Sequence, residues 1–207
     1  ALAGYLADRT GLPVVVDNDA KALALGEGWC GAAVGNRDYL AMVVSTGVGG
    51  GLVVDGRLLH GAAGNAGHIG HVVVEPDGPA CACGRRGCLE TVASGPAIQR
   101  ETGRPASEAD LEVRRRTGDL VGQAVATVVN LLDIPLVVVA GSVALGFGVP
   151  FFEAAQERLD RECGLEFTRD ARIVPAGLGA DGPLVGAAAL WHHARRRSEE
   201  GEVEGAS

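Results

Sequence analysis

Within residues 67–90, "GHIGHVVVEPDGPACACGRRGCLE", two histidines three apart precede three of the chain's five cysteines. Thiolates and imidazole are the donors that suit zinc, and four such ligands close a tetrahedral shell that leaves no position for water. Cys81, Cys83 and Cys88 supply three of them. Counting from His71 completes a Cys3His set, and His68 competes for the same place, since a ten-residue gap before a short knuckle does not choose between the two. A metal held this way would shape its loop and do no hydrolysis. A thioredoxin-like pair does not fit, because one residue separates Cys81 from Cys83 and four separate Cys83 from Cys88.

Two other stretches have the composition of ligand sites. In "VVVDNDAKALALGE" a β-branched run delivers Asn18 and Asp19 to the place where open α/β sheets bind ligands, and Asp19 could act as a general base. The plainer alternative is that Asp17 or Asp19 caps the following helix. "STGVGGG", residues 45–51, follows a strand, and its glycines allow a sharp turn with successive N–H groups facing an anion. It lacks the Lys-Ser or Lys-Thr of a Walker loop, and no helix opens behind it as in a dinucleotide fingerprint. A plain glycine-rich hairpin is the alternative here. "VVVAGSVAL" is a strand ending in a tight Gly-Ser turn, a shape that meets the adenosine part of nucleotides, and "GADGPLVGAAAL" opens a late helix whose small residues allow close packing; each alone is weak, and an ordinary strand-to-helix turn is the alternative.

The elements needed to hold these residues alternate in type. Helix is expected over 1–10, 20–32, 150–162 and from "GPLVGAAALWHHARRR" onward, with separate helical pieces in "LETVASG", "GPAIQRET", "SEADLEVRRRTG" and 119–132. Strands are expected in "LPVVVDND", "YLAMVVST", "HVVVEP", "IPLVVVAG" and "ARIVPAG", and "GLVVDGRLLHG" reads as a hairpin turning at Asp55-Gly56. This alternation predicts an α/β fold. The polar tail 198–207 is expected to be disordered.

Composition narrows the functional classes. The 207 residues are 47% hydrophobic, ample for a core, and no apolar run approaches the ~18–20 residues needed to cross a bilayer. A net charge of −8, with the basic tracts "VRRRTG" and "HHARRR" close to acids, argues against direct nucleic-acid contact. Five cysteines are an odd number, and the three in "CACGRRGC" are too close together for an ordinary disulfide framework, so a reducing cytoplasm with a metal suits them better.

Taken together and in order, "NDA", "STGVGGG", "AGHIGH", "CACGRRGCLE", "ASG" and "GADGPLVGAAAL" resemble the ROK family of sugar kinases and sugar-responsive repressors, with motifs similar to bacterial glucokinases and N-acetylmannosamine kinases. The resemblance covers nearly the whole chain. It implies an actin-like ATPase (ribonuclease H-like) fold, chiefly the large domain over 1–197 with small-domain remnants at its ends. It implies ATP-dependent phosphorylation of a hexose or N-acetylhexosamine, with MgATP as co-substrate and a structural zinc. Asp19 aligns with the catalytic base. Asn18, His68, His71 and Glu90 align with sugar contacts, and Thr46, Gly47, Gly49, Gly50 and Gly51 with a phosphate loop. Gly141 and Ser142 fall on the adenosine turn, and the zinc ligands become His71, Cys81, Cys83 and Cys88. A homodimer is implied too. In three places the chain departs from the family pattern: His68 stands where many members have Glu, Lys21 replaces a frequent Asn, and Ala140 a frequent Gly. The family's first phosphate loop, of Asp-x-Gly-x-Thr type, is not among these residues, so the chain is expected to begin late in the small domain and to be a poor kinase by itself. The alternative implied by the same resemblance is the effector-binding part of a sugar-responsive repressor.

Overall fold

A computed structural model of the chain describes the backbone of residues 2–204 and the side chains of 2–179 and 181–195. Its centre is a five-stranded sheet of β1 (Tyr39–Val44), β2 (Val48–Val54), β3 (Arg57–Leu58), β4 (Leu136–Ala140) and β5 (Arg172–Pro175), in the order β3-β2-β1-β4-β5. The first three strands form an antiparallel meander, and β4 and β5 add on parallel to β1. Asp55, at positive φ, and Gly56 make the expected hairpin turn.

The helices are α1 (Leu2–Thr10), α2 (Asp19–Cys30), α3 (Leu89–Ala93), α4 (Gly95–Thr102), α5 (Leu111–Leu132), α6 (Ser142–Phe147), α7 (Val149–Glu162) and α8 (Gly182–Glu204). Because successive strand residues point to opposite faces, each strand feeds two cores. Leu40, Met42, Val44, Val137 and Val139 join the α3, α5 and α7 side, while Tyr39, Ala41, Val138 and Ala140 pack with Leu23 and Ala24 of α2. The sheet is thus covered on both faces, which is why β1 and β4 read as continuous apolar runs and do not alternate.

Four expectations meet a different structure. "LPVVVDND" forms no strand: among the described residues no neighbour pairs with it, and Val15 and Val16 stay exposed. "HVVVEP" is reduced to one bridge between Val73 and Cys88, because the knuckle that follows turns back at once. The two helical pieces around Gly118 are one helix, α5. Gly118 is a contact surface and no breaker: a Cβ there would lie 2.2 Å from the Phe151 carbonyl oxygen, and one on Gly122 2.4 Å from that of Ala155, so α7 crosses directly over both. At the C-terminus, where a disordered tail over 198–207 is expected, α8 continues to Glu204, and 205–207 lie outside the described residues. Among the described residues no helix is long and apolar enough to cross a membrane.

Candidate functional site

The N-terminus of α2 presents Asn18 and Asp19. Asn18, in extended conformation, is the N-cap, accepting from the Ala20 amide at 2.9 Å. The capping role open to Asp17 or Asp19 therefore falls mainly to Asn18. Asp19 accepts from the same amide at 2.8 Å and is otherwise exposed.

Two glycines carry the histidines onto this helix end. The loop 67–70 lies on β2 so closely that a Cβ on Gly67 would be 2.1 Å from the Gly50 carbonyl oxygen, and one on Gly70 2.2 Å from that of Val48. The Gly-His-x-Gly-His spacing is thus a backbone-on-backbone contact from which His68 and His71 project, their rings stacked 6.0 Å apart. Glu90, on α3, accepts from the Val48 amide at 3.0 Å and rests against Gly47. Asn18, Asp19, Thr46, Gly47, Gly49, His68, His71 and Glu90 together line one polar cleft of about 430 Å³.

A second, more apolar cavity of about 750 Å³ opens beside it, walled by Val15, Val16, Gly141, Ser142, Gly179 and Pro183. Asp19, Val43 and Ser45 belong to both. Gly141, at φ 102°, must be glycine, because a Cβ would sit 2.3 Å from the Val44 carbonyl oxygen. Its neighbour Ser142 meets Ser45 with hydroxyl oxygens 2.9 Å apart, tying the end of β4 to the turn after β1.

The glycine loop is only partly at the site. The turn is 45–47; Gly49, Gly50 and Gly51 lie inside β2, in register with Val43, Met42 and Ala41. Gly50 and Gly51 do not line either large cavity. A Cβ on Gly51 would stand 2.7 Å from the Ala20 carbonyl oxygen, so this glycine lets α2 sit on the sheet. Gly50 instead faces the 67–69 loop, where a Cβ would stand 3.0 Å from the Gly67 carbonyl oxygen.

Behind the cleft is the knuckle. The ligand atoms of His71, Cys81, Cys83 and Cys88 all lie within 4.8 Å of one another. His71 Nδ1 is 3.5 Å from Cys81 Sγ, and the sulfurs of Cys83 and Cys88 are 3.6 Å apart. A tetrahedral cation with Zn–S bonds of ~2.3 Å has edges of ~3.7 Å, so the donor set fits such an ion. His71 is the near histidine, which answers the choice that spacing leaves open. The backbone amide of Arg85, with Cys81 beside it, draws the Cys83 thiol below the ordinary range, and burial pushes that of Cys88 above it. Arg85 also donates to the His71 carbonyl at 2.7 Å, closing the loop onto the histidine.

Sequence reasoning gives no role to Ser45, Gly179 or the buried pair Lys21 and Glu27. Ser45 stands inside a quoted motif; Glu27 is a lone acid between two glycines, a local oddity that signals a buried carboxylate.

The model of the ROK family matches residues 1–194. A glucokinase of Thermotoga maritima is 33% identical over 91% of this chain and 69% of its own length. An N-acetylmannosamine kinase of Citrobacter koseri is 38% identical over 87% of this chain and 69% of its own. Among solved structures, a ROK hexokinase from Thermus thermophilus superposes with TM-score 0.81 at 36% identity, covering 91% of this chain and 68% of that one. A ROK transcriptional regulator, described as a homologue of the Escherichia coli MLC protein, gives TM-score 0.80 at 28% identity, covering 93% of this chain and 55% of that one. With its motifs carried on the actin-like ATPase fold of those sugar kinases and matched from residue 1 to 194, the chain belongs to the ROK family.

Proposed function

We propose that the chain is the acceptor- and nucleotide-binding part of an ATP-dependent sugar kinase, transferring the γ-phosphoryl group of MgATP to a hexose or N-acetylhexosamine hydroxyl. The observation that carries this reading is the position of Asp19, on the wall of the polar cleft and of the larger cavity at once. A sugar bound between Asn18, His68, His71 and Glu90 has its hydroxyl beside a carboxylate that accepts the proton as oxygen attacks phosphorus. The adenosine occupies the larger cavity against Gly141 and Ser142, and its phosphates reach the 45–47 turn. Phosphoryl transfer rests chiefly on such alignment and on charge stabilisation.

His71, Cys81, Cys83 and Cys88 are the residues that would hold a structural zinc. Bound there, it supplies thiolate and imidazole crosslinks in place of a hydrophobic core. His71 then joins the knuckle to the cleft, and α3, which starts directly after Cys88, places Glu90. Free thiols and the absence of a spanning helix among the described residues fit the cytoplasm. A homodimer is the assembly to test by sedimentation.

The second reading, an effector-binding domain of a sugar-responsive repressor, is favoured by the regulator neighbour of TM-score 0.80. The natural full-length protein should be assayed with ATP and glucose, N-acetylmannosamine, N-acetylglucosamine or fructose. Sugar-dependent ADP release from one of them is the expected result. Tight sugar binding with no ADP release would favour the repressor.

A further inference from the structure

Among the described residues, the two charged side chains most deeply buried are on the same helix, two and eight residues after Asp19. Lys21 is 1% exposed and Glu27 fully buried. Charged groups are not left inside a protein without partners, because desolvation costs several kcal/mol each. Their closest long-range partners lie on different loops, that of Lys21 at Gly64 and those of Glu27 at Gly177 and Leu178.

Lys21 reaches the loop that carries His68 into the polar cleft. Its Nζ donates to the Gly64 carbonyl at 2.5 Å and faces Asp17 at 3.7 Å, so the carbonyl is the tighter of the two partners. Gly64 belongs to a loop that turns on glycines at positive φ, Gly61, Gly64 and Gly67, and that ends at His68. Lys21, Gly64, Asn18 and His68 also share the wall of one small void under the cleft.

Glu27 holds the loop that leads into the other cavity. One carboxylate oxygen accepts from Ala32 N at 2.6 Å and Gly177 N at 3.0 Å, and the other from Leu178 N at 3.1 Å. Leu178 immediately precedes the 3₁₀ turn Gly179–Asp181 and α8, whose first residues line the larger cavity. Where α2 and α8 touch, Gly26 and Gly186 meet without side chains, so the two helices pack closely beside that loop.

The geometry points to Lys21 and Glu27 as positioning residues of opposite assignment: Lys21 holds the acceptor loop and Glu27 the nucleotide wall, both referred to the helix that carries Asp19. This rests on the reading of the two cavities as acceptor and nucleotide sites. Neither residue touches substrate, so each acts through backbone atoms that it holds. Lys21 stands where the family frequently has Asn, a side chain too short to reach the Gly64 carbonyl in the same way.

The test is a double dissociation on the natural full-length protein. Equilibrium dissociation constants are measured for glucose, for N-acetylmannosamine and for a non-hydrolysable ATP analogue with Mg²⁺, in Lys21→Met and in Glu27→Gln. Gln keeps the shape of Glu but points an amide donor at amide donors, so it loses at least one of the three bonds. Lys21→Met should weaken the better-bound sugar at least tenfold and leave the ATP analogue within twofold. Glu27→Gln should do the reverse. If Glu27→Gln does not fold, Glu27→Asp replaces it, keeping an acceptor-only carboxylate withdrawn by one methylene. A folded variant that shifts both constants alike, or neither while its melting temperature falls, would mean that the residue only stabilises the fold, and the proposal would be wrong. An unsubstituted protein that binds neither sugar nor the ATP analogue would instead overturn the reading of the cavities themselves.

Discussion

The polar cleft and the larger cavity share Asp19 and a strand end, yet they are built from different materials. The cleft is made of side chains: Asn18, His68, His71 and Glu90, each aimed by a cap, a glycine contact or the knuckle. The larger cavity is made of backbone and small apolar residues, with Gly141 and the loop before α8 setting its shape. Polar side chains recognise a ligand dense in hydroxyls by directed hydrogen bonds. Backbone and apolar walls suit a flat base and a chain of phosphates, where shape and N–H groups suffice. The difference also says how each region fails: the cleft by losing a crosslink behind it, the cavity by gaining a single methyl group.

The largest separation between the two should come from Cys88→Ser. Removing one thiolate breaks a four-ligand set, so metal content, read by elemental analysis of the pure protein, should fall from near one equivalent to a small fraction. Sugar affinity should weaken by ~10–100-fold, as when support behind a site is lost. Binding of the ATP analogue should stay within about threefold. Full metal content with unchanged sugar binding would remove the knuckle from the account. Gly141→Ala should act in the opposite sense. Its backbone is at φ 102° and its Cβ would clash with the Val44 carbonyl, a strain of ~1–3 kcal/mol. Nucleotide binding should drop about tenfold while sugar binding persists, both read by calorimetry. The smallest site effect belongs to Gly51→Ala. That methyl group meets Ala20, Lys21 and Ala24 of α2 and not the cleft, so stability should fall by ~1–3 kcal/mol in urea unfolding, with both affinities of the folded protein nearly unchanged. A selective loss of nucleotide binding would instead mean that Gly51 acts in the phosphate loop.

How much of this was legible in the sequence depends on the range over which each residue acts. The knuckle was legible because Cys81, Cys83 and Cys88 answer to one another within eight residues, and metal chemistry restricts their types. The hairpin turn at Asp55-Gly56 and the helix start at Asn18-Asp19 are equally local. Glycine contacts were not: nothing in the sequence says that Gly51 lies under α2, that Gly50 faces the 67–69 loop, or that Gly118, which looks like a helix end, lies under α7. Lys21 and Glu27 are quieter still, since their bonds to Gly64 and Gly177 join atoms 43 and 150 residues away along the chain. The exposed "PVVV" run carries strand propensity without a neighbour, and a strand is defined by pairing as well as by residue type.

The claim on which the account turns is that Asp19 takes the proton of a sugar hydroxyl at the junction of the two sites. Asp19→Asn keeps the size and the Ala20 contact of the side chain but cannot act as a base. Single-turnover phosphorylation by the full-length protein, measured beside sugar and ATP-analogue affinities, tests it directly. The expected result is a loss of ~10²–10⁴-fold in rate, the range of general-base contributions, with both affinities within about threefold of the unsubstituted protein. A rate within tenfold of the original, with both ligands bound, would contradict it.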